Sequence, residues 1–202
     1  MGKMRYASFS ETGERTNNED YIQITGNPDD GRYLFVCCDG MGGHAMGEVA
    51  SQVVGSTICE YWEQASFENG MKPVLQTAFK LASDALDAKA DVLHKVEMGT
   101  TLVLAAIDGN KLTIAYAGDS RAYLLRGEEV IYQTQDHVDH SVWEISSTVA
   151  SSLIKETRQM WRCTNLSWNQ VTGFFSVLMA FASLLHPTSS LVVQWMTNHQ
   201  RM

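Results

Sequence analysis

The run Tyr33-Leu34-Phe35-Val36-Cys37-Cys38 is apolar throughout and stops at Asp39-Gly40-Met41-Gly42-Gly43. It reads as a buried strand that delivers one carboxylate into a glycine-rich turn at a sheet edge, so the chain must build a core around it. Asp39 offers a hard oxygen anion at that edge. Gly40 has no side chain to keep its own carbonyl from the same cation. Asp-Gly also makes ordinary turns, and the motif alone leaves both readings open.

A length of 202 residues suffices for one well-buried domain or for an incomplete larger one. A hydrophobic content of 45% with 19% charged residues is that of a globular protein and argues against wholesale disorder. The net charge of -8 excludes the basic stripe of a nucleic-acid surface. None of the four cysteines is spaced C-x-x-C, and two are adjacent in the apolar run. They read as core residues rather than zinc ligands or a disulfide frame. The N-terminal MGKMRYASFS has no apolar signal segment, and Tyr6 stands where a myristoylation motif wants Ser or Thr. The expectation is a soluble cytoplasmic protein.

The chain changes character near Ser141. Through Ser141 there are 21 acidic and 11 basic residues; from Val142 onward there are 2 and 4. The later stretch holds four of the five tryptophans, one glycine and no aspartate, which is little turn chemistry for its length. Ser141/Val142 is therefore read as a boundary.

Periodicity and turn signals give the order of elements. Gly26 to Gly31 is a turn, Arg32 to Cys38 a strand, and Met46 to Gln64 a helix with Val49, Val53, Thr57 and Tyr61 at helical spacing. Gly70 breaks that pattern, and Pro73 suits the first turn of a second helix burying Leu75, Phe79, Ala82 and Leu86. Thr100 to Ile107, Leu112 to Ala117, Arg121 to Leu125 and Val130 to Thr134 read as strands, with Asp108-Gly109-Asn110 as a hairpin signal. Strands, two helices and then a strand meander favour a layered α+β sandwich. The most apolar run, Phe174 to Leu185, is too short to span a bilayer and reads as a buried helix.

Three acidic motifs fall at strand ends or turns: Glu19-Asp20, Asp39-Gly40 and Gly118-Asp119-Ser120. Carboxylates converging from separate strands suit Mg²⁺ or Mn²⁺ rather than zinc. Two such ions about 3.5–4 Å apart can activate a shared water and clamp a phosphoryl group in line. Arg15 would hold the phosphate through both guanidinium edges. Metal-assisted hydrolysis of a phosphate ester follows from these parts if they converge.

GERTNNED, CDGMGGHAMGEVAS, MGTTLVLAAI and AYAGDSRAYLLR, in that order, resemble the PPM (type 2C) metal-dependent Ser/Thr protein phosphatases in their bacterial form, over Arg5 to about Ser141. The resemblance implies a four-layer αββα sandwich, here with its C-terminal half missing or replaced. It implies that Arg15 binds substrate phosphate and that Asp39 bridges two catalytic Mn²⁺ or Mg²⁺ ions. The Gly40 carbonyl would bind one of them, Glu19 and Asp20 would hold their waters, and Asp119 would serve an accessory third metal. Some relatives place a general-acid histidine where Met41 stands, so the proton donor here would be water or another group. The neighbouring His44 reads as a surface turn residue. Phosphoserine and phosphothreonine proteins, a cognate Ser/Thr kinase and a monomeric state complete what the resemblance implies.

The family pattern reaches Asp139-His140-Ser141 and ends. Two further metal aspartates should follow, one in a segment like LCSDGL, and no aspartate follows. With suitable codons, Gln170 to Phe181 (QVTGFFSVLMAF) read from the last base of each codon encodes GDRFFLCSDGL, and Met179 followed by Ala180 forces the glycine of SDG. The stretch 142–202 is accordingly expected to be a frameshifted tail that need not pack and that leaves strand edges open. Loss of one metal site and impaired activity would follow, with a phosphoprotein-binding pseudophosphatase or a non-functional remnant as the alternatives.

Overall fold

The computed structural model describes residues 5–12, 16–27, 29, 31–41, 46–109, 111–137, 162–167, 173–180 and 189–197. Three strands come first: β1 (Arg5–Ser10), β2 (Asp20–Asn27) and β3 (Arg32–Met41). Helices α1 (Met46–Gln64) and α2 (Met71–Val92) follow. A meander then runs through β4 (Gly99–Thr100), β5 (Leu102–Asp108), β6 (Lys111–Ala117), β7 (Arg121–Arg126) and β8 (Glu129–Gln133). The last strands are β9 (Arg162–Ser167), β10 (Gly173–Ala180) and β11 (Ser189–Thr197). They form two antiparallel sheets, one in the order β2-β3-β5-β6-β9 with β4 beside β3, the other β1-β11-β10-β7-β8.

Strand β3 shows why its sequence is apolar without alternation. Leu34, Val36 and Cys38 point into a core shared with α1 and α2, where Ala50, Val54, Ile58, Leu75, Ala82 and Leu86 meet them. Phe35 and Cys37 point the other way, into a second core between the sheets with Ile114, Tyr116, Leu124 and Met179. Successive strand residues face opposite sides, so a strand covered on both faces needs apolar residues at every position. The first helix buries Ala50, Val54, Ile58 and Trp62 at helical spacing, and α2 packs against α1. Helices, sheet and second sheet make three of the four expected layers. Among the described residues no helix covers the outer face of the second sheet. None of the described helices is long and apolar enough to cross a membrane.

Three sequence expectations are corrected here. The strand carrying Asp39 continues through Gly40 to Met41, because β4 pairs with it at Gly40 and Met41. The run beginning at Phe174 is a strand over Gly173–Ala180, not a helix. It lies between β7 and β11, and an apolar run in a central strand looks like a buried helix until both neighbours are known. Nor are the edges of β1, β6 and β7 left open, since β11, β9 and β10 pair with them. The boundary at Ser141/Val142 and the Asp139-His140-Ser141 segment lie outside the described residues.

Candidate functional site

Two of the three acidic motifs lie side by side where β2 begins and β3 ends. Antiparallel register sets Asp20 directly opposite Asp39. One residue further, the Gly40 amide donates to the Glu19 carbonyl at 3.1 Å. The Ser51 hydroxyl of α1 donates to that same carbonyl at 2.6 Å and is itself buried. Asn18 braces the approach to β2, its side-chain oxygen accepting the Asp20 amide at 3.0 Å. Glu19-Asp20 and Asp39-Gly40 are thus held in place through their main chains.

Glycine is required at Gly40 for space. A Cβ there would lie 2.1 Å from the Gly47 carbonyl oxygen and 2.6 Å from that of Glu19. The first turn of α1 therefore lies directly on the end of β3. A Cβ on Gly47 would in turn lie 2.9 Å from Oε2 of Glu19, so the Glu19 carboxylate sits over the helix start. Glu48 in the same turn accepts a hydrogen bond from Asn17 at 2.9 Å.

From the other side the site is closed by hydroxyl groups. The Thr101 amide donates to the Asp39 carbonyl at 2.9 Å, and the Thr100 hydroxyl donates to it at 3.0 Å. The Asp39 amide donates to Thr101 Oγ1 at 3.1 Å, and that oxygen lies 2.5 Å from the Ser120 hydroxyl. Thr100, Thr101 and Ser120 are all buried, while Asp119, next to Ser120, is exposed at the turn between β6 and β7. Gly118 makes that turn at φ 99°, a left-handed conformation that glycine adopts freely. The strand after the turn is tied down by a paired contact of Arg121 with Asp136, at 2.8 and 2.6 Å. The Asp136 carboxyl is held below the ordinary carboxylate range, chiefly by those hydrogen bonds. His137 completes the clasp: its amide donates to the Gly118 carbonyl, its Nδ1 accepts the Gly118 amide, and its ring stacks on Tyr116.

The oxygen types at this sheet end are those a hard divalent cation takes. They are carboxylate and main-chain oxygens, and the close Gly40–Gly47 approach leaves no room for a side chain at Gly40. No group of three or more His, Cys, Asp or Glu is gathered for a metal among the described residues. The cysteines beside Asp39 offer no competing chemistry. Burial pushes the Cys37 and Cys38 thiols up, and Cys59 is pushed up to about 12, so none is a thiolate nucleophile near neutral pH.

Of the site residues expected from sequence, Glu19, Asp20, Asp39 and Gly40 have neighbouring main chains, and the turn bearing Asp119 reaches Asp39 through Ser120 and Thr101. Arg15 lies outside the described residues, as does His44. Sequence reasoning assigned no role to Ser51, Thr100, Thr101 or Ser120. Their signal was present in GEVAS, MGTT and AGDS, but what a buried hydroxyl bonds to depends on which strands are neighbours.

The Protein phosphatase 2C family model matches residues 4–146. The serine/threonine protein phosphatase PstP of Mycobacterium tuberculosis is 37% identical over 135 residues, covering 66% of this chain and 25% of PstP. The protein phosphatase PhpP of Streptococcus pneumoniae is 31% identical over 142 residues, covering 66% of this chain and 55% of PhpP. The chain thus spans a quarter of the length of one relative and about half of the other. The crystal structure of the PstP catalytic domain in complex with two manganese ions superposes with a TM-score of 0.68 at 23% identity, over 97% of this chain and 99% of that one.

Proposed function

The chain belongs to the protein phosphatase 2C family, and on that premise we propose that it is a metal-dependent serine/threonine protein phosphatase impaired by the character of its tail. The observation that carries this reading is the pairing of Asp20 with Asp39, with Glu19 clamped to Gly40 at the same sheet end. Asp39, the Gly40 carbonyl, Glu19 and Asp20 would hold Mn²⁺ or Mg²⁺, with Asp119 serving an accessory ion. When bound, such a cation neutralises phosphoryl oxygens and acidifies water. The chain's own contribution is positional: strand register and glycine contacts fix the carboxylates before substrate arrives. Arg15 would bind the phosphate of phosphoserine or phosphothreonine in a protein, reversing the work of a Ser/Thr kinase. A monomer acting in the cytoplasm fits this role.

Impairment is the finer part of the proposal. The sequence after Ser141 contains no aspartate, so one metal site would lack its remaining carboxylates. A shifted reading frame would account for the loss, since with suitable codons the residues of β10 can encode FFLCSD in that frame. DNA sequence across codons 141 to 181 decides this; absence of SDGL in either other frame removes the explanation.

The enzymatic test is Mn²⁺-dependent release of phosphate from a phosphothreonine peptide, with Asp39→Ala as control. Turnover above that control supports a phosphatase. Peptide binding without turnover supports the second reading, a phosphoprotein-binding pseudophosphatase, which the aspartate-free tail favours.

A further inference from the structure

The pairing between β3 and the β4–β5 segment contains an unusual substitution at the site. Cys37 pairs with Val103 and Gly40 with Thr100 in one continuous register, which sets Thr101 opposite Asp39. In an antiparallel pair two opposed residues can exchange both main-chain bonds. Here the Thr101 amide donates to the Asp39 carbonyl, but the return bond from the Asp39 amide goes to Thr101 Oγ1. The Thr101 carbonyl instead lies 2.9 Å from the Thr100 hydroxyl, whose single hydrogen it shares with the Asp39 carbonyl. A side chain has taken over a ladder bond next to the key carboxylate. That same Oγ1 meets Ser120, beside Asp119, in a region closed to water.

We propose that Thr101 is a positioning residue whose hydroxyl locks the Asp39 main chain to the Gly118–Ser120 turn, so that the Asp39 and Asp119 regions move as one unit. The proposal rests on the reading of Asp39 and Asp119 as parts of one site. The geometry leaves little slack. Oγ1 carries one hydrogen and two lone pairs; one lone pair takes the Asp39 amide, and the rest engages Ser120. Below Gly118 the Thr101 methyl is also in contact, since a Cβ there would lie 2.9 Å from Thr101 Cγ2. Threonine supplies both groups at once; valine would keep the packing and lose the bridge.

Site-resolved amide exchange of the full chain, with Mn²⁺ titration in parallel, tests this. Ser120→Ala lies on another strand, yet it should speed exchange of the Asp39 amide about tenfold, with Val36 in the same strand unchanged. Thr101→Val should do at least as much and weaken Mn²⁺ binding about tenfold, while Thr101→Ser stays near wild type in both. An Asp39 amide indifferent to Ser120→Ala overturns the proposal, as does Thr101→Ser behaving like Thr101→Val. Unchanged Mn²⁺ affinity in Thr101→Val overturns it too. A wild-type chain that binds no Mn²⁺ but shows the exchange effects sinks the phosphatase reading and leaves the bridge standing.

Discussion

The two ends of β3 are built on different principles. At its start, Arg32 pairs with Asp108 through one contact of 3.1 Å, both side chains about a third exposed, and its guanidinium lies over the Phe67 ring at 4.7 Å from the centroid. Beyond its strand pairing with Asn27 and Asp108, that end is fastened by side chains in reach of water. At its far end, Asp39 and Gly40 are fastened by main-chain groups to Glu19 and Thr101, with buried hydroxyls behind them. An exposed ion pair is weak and forgiving, whereas a buried bond is costly to leave unmade. The fold thus concentrates its least tolerant contacts at the end of β3 that carries Asp39.

If this contrast is right, substitutions at the Asp39 end should cost far more than those at the Arg32 end. Gly40→Ala should have the largest effect, about 3 kcal/mol or more, because its Cβ would meet main-chain atoms of Gly47 and Glu19. Chemical denaturation measures it, and a loss under 1 kcal/mol would show that α1 can withdraw freely. Asp136→Asn should cost about 1–2 kcal/mol by loosening the strand after the Asp119 turn.

That second effect carries a pH signature. The folded carboxyl lies below its unfolded value of 3.8, so its contribution is present above about pH 4 and disappears as pH falls through the folded value. The stability gap between wild type and Asp136→Asn should narrow on acidification; a gap that stays constant to pH 2 would dismiss the ion pair as its source.

Ser51→Ala should cost about 1 kcal/mol, since the Glu19 carbonyl keeps its bond from the Gly40 amide when the hydroxyl is lost. Arg32→Ala should be mildest, about 0.5 kcal/mol in thermal unfolding. A larger loss at Arg32 than at Ser51 would reverse the comparison between the two ends.

Much of this was legible beforehand for reasons that can be named. The helix Met46–Gln64 was readable to its ends because Val49, Val53, Thr57 and Tyr61 repeat at helical spacing and glycines precede it. The face it buries is nonetheless the adjacent one of Ala50, Val54, Ile58 and Trp62. The hairpin at Gly109 was readable from Asp108-Gly109-Asn110, which pairs Asp108 with Lys111. The run after Gly173 was not, because an apolar segment of that length carries no periodicity to tell a central strand from a buried helix. Asp39 looked like a turn residue because glycines surround it. It lies in a strand, since β4 was too short to be seen in the sequence and nonetheless pairs with Gly40 and Met41.

The sequence by itself determined the inventory of this protein: an unalternating apolar strand, acidic pairs at its end, the glycines beside them, and a tail without aspartate. Such properties belong to residue types and their local order. Tertiary structure alone decided that Asp20 faces Asp39, that Gly40 must yield space to Gly47, and that Thr101 joins Asp39 to the turn bearing Asp119. Those contacts join residues far apart in the chain, and only strand register and the seating of α1 bring them within bonding distance.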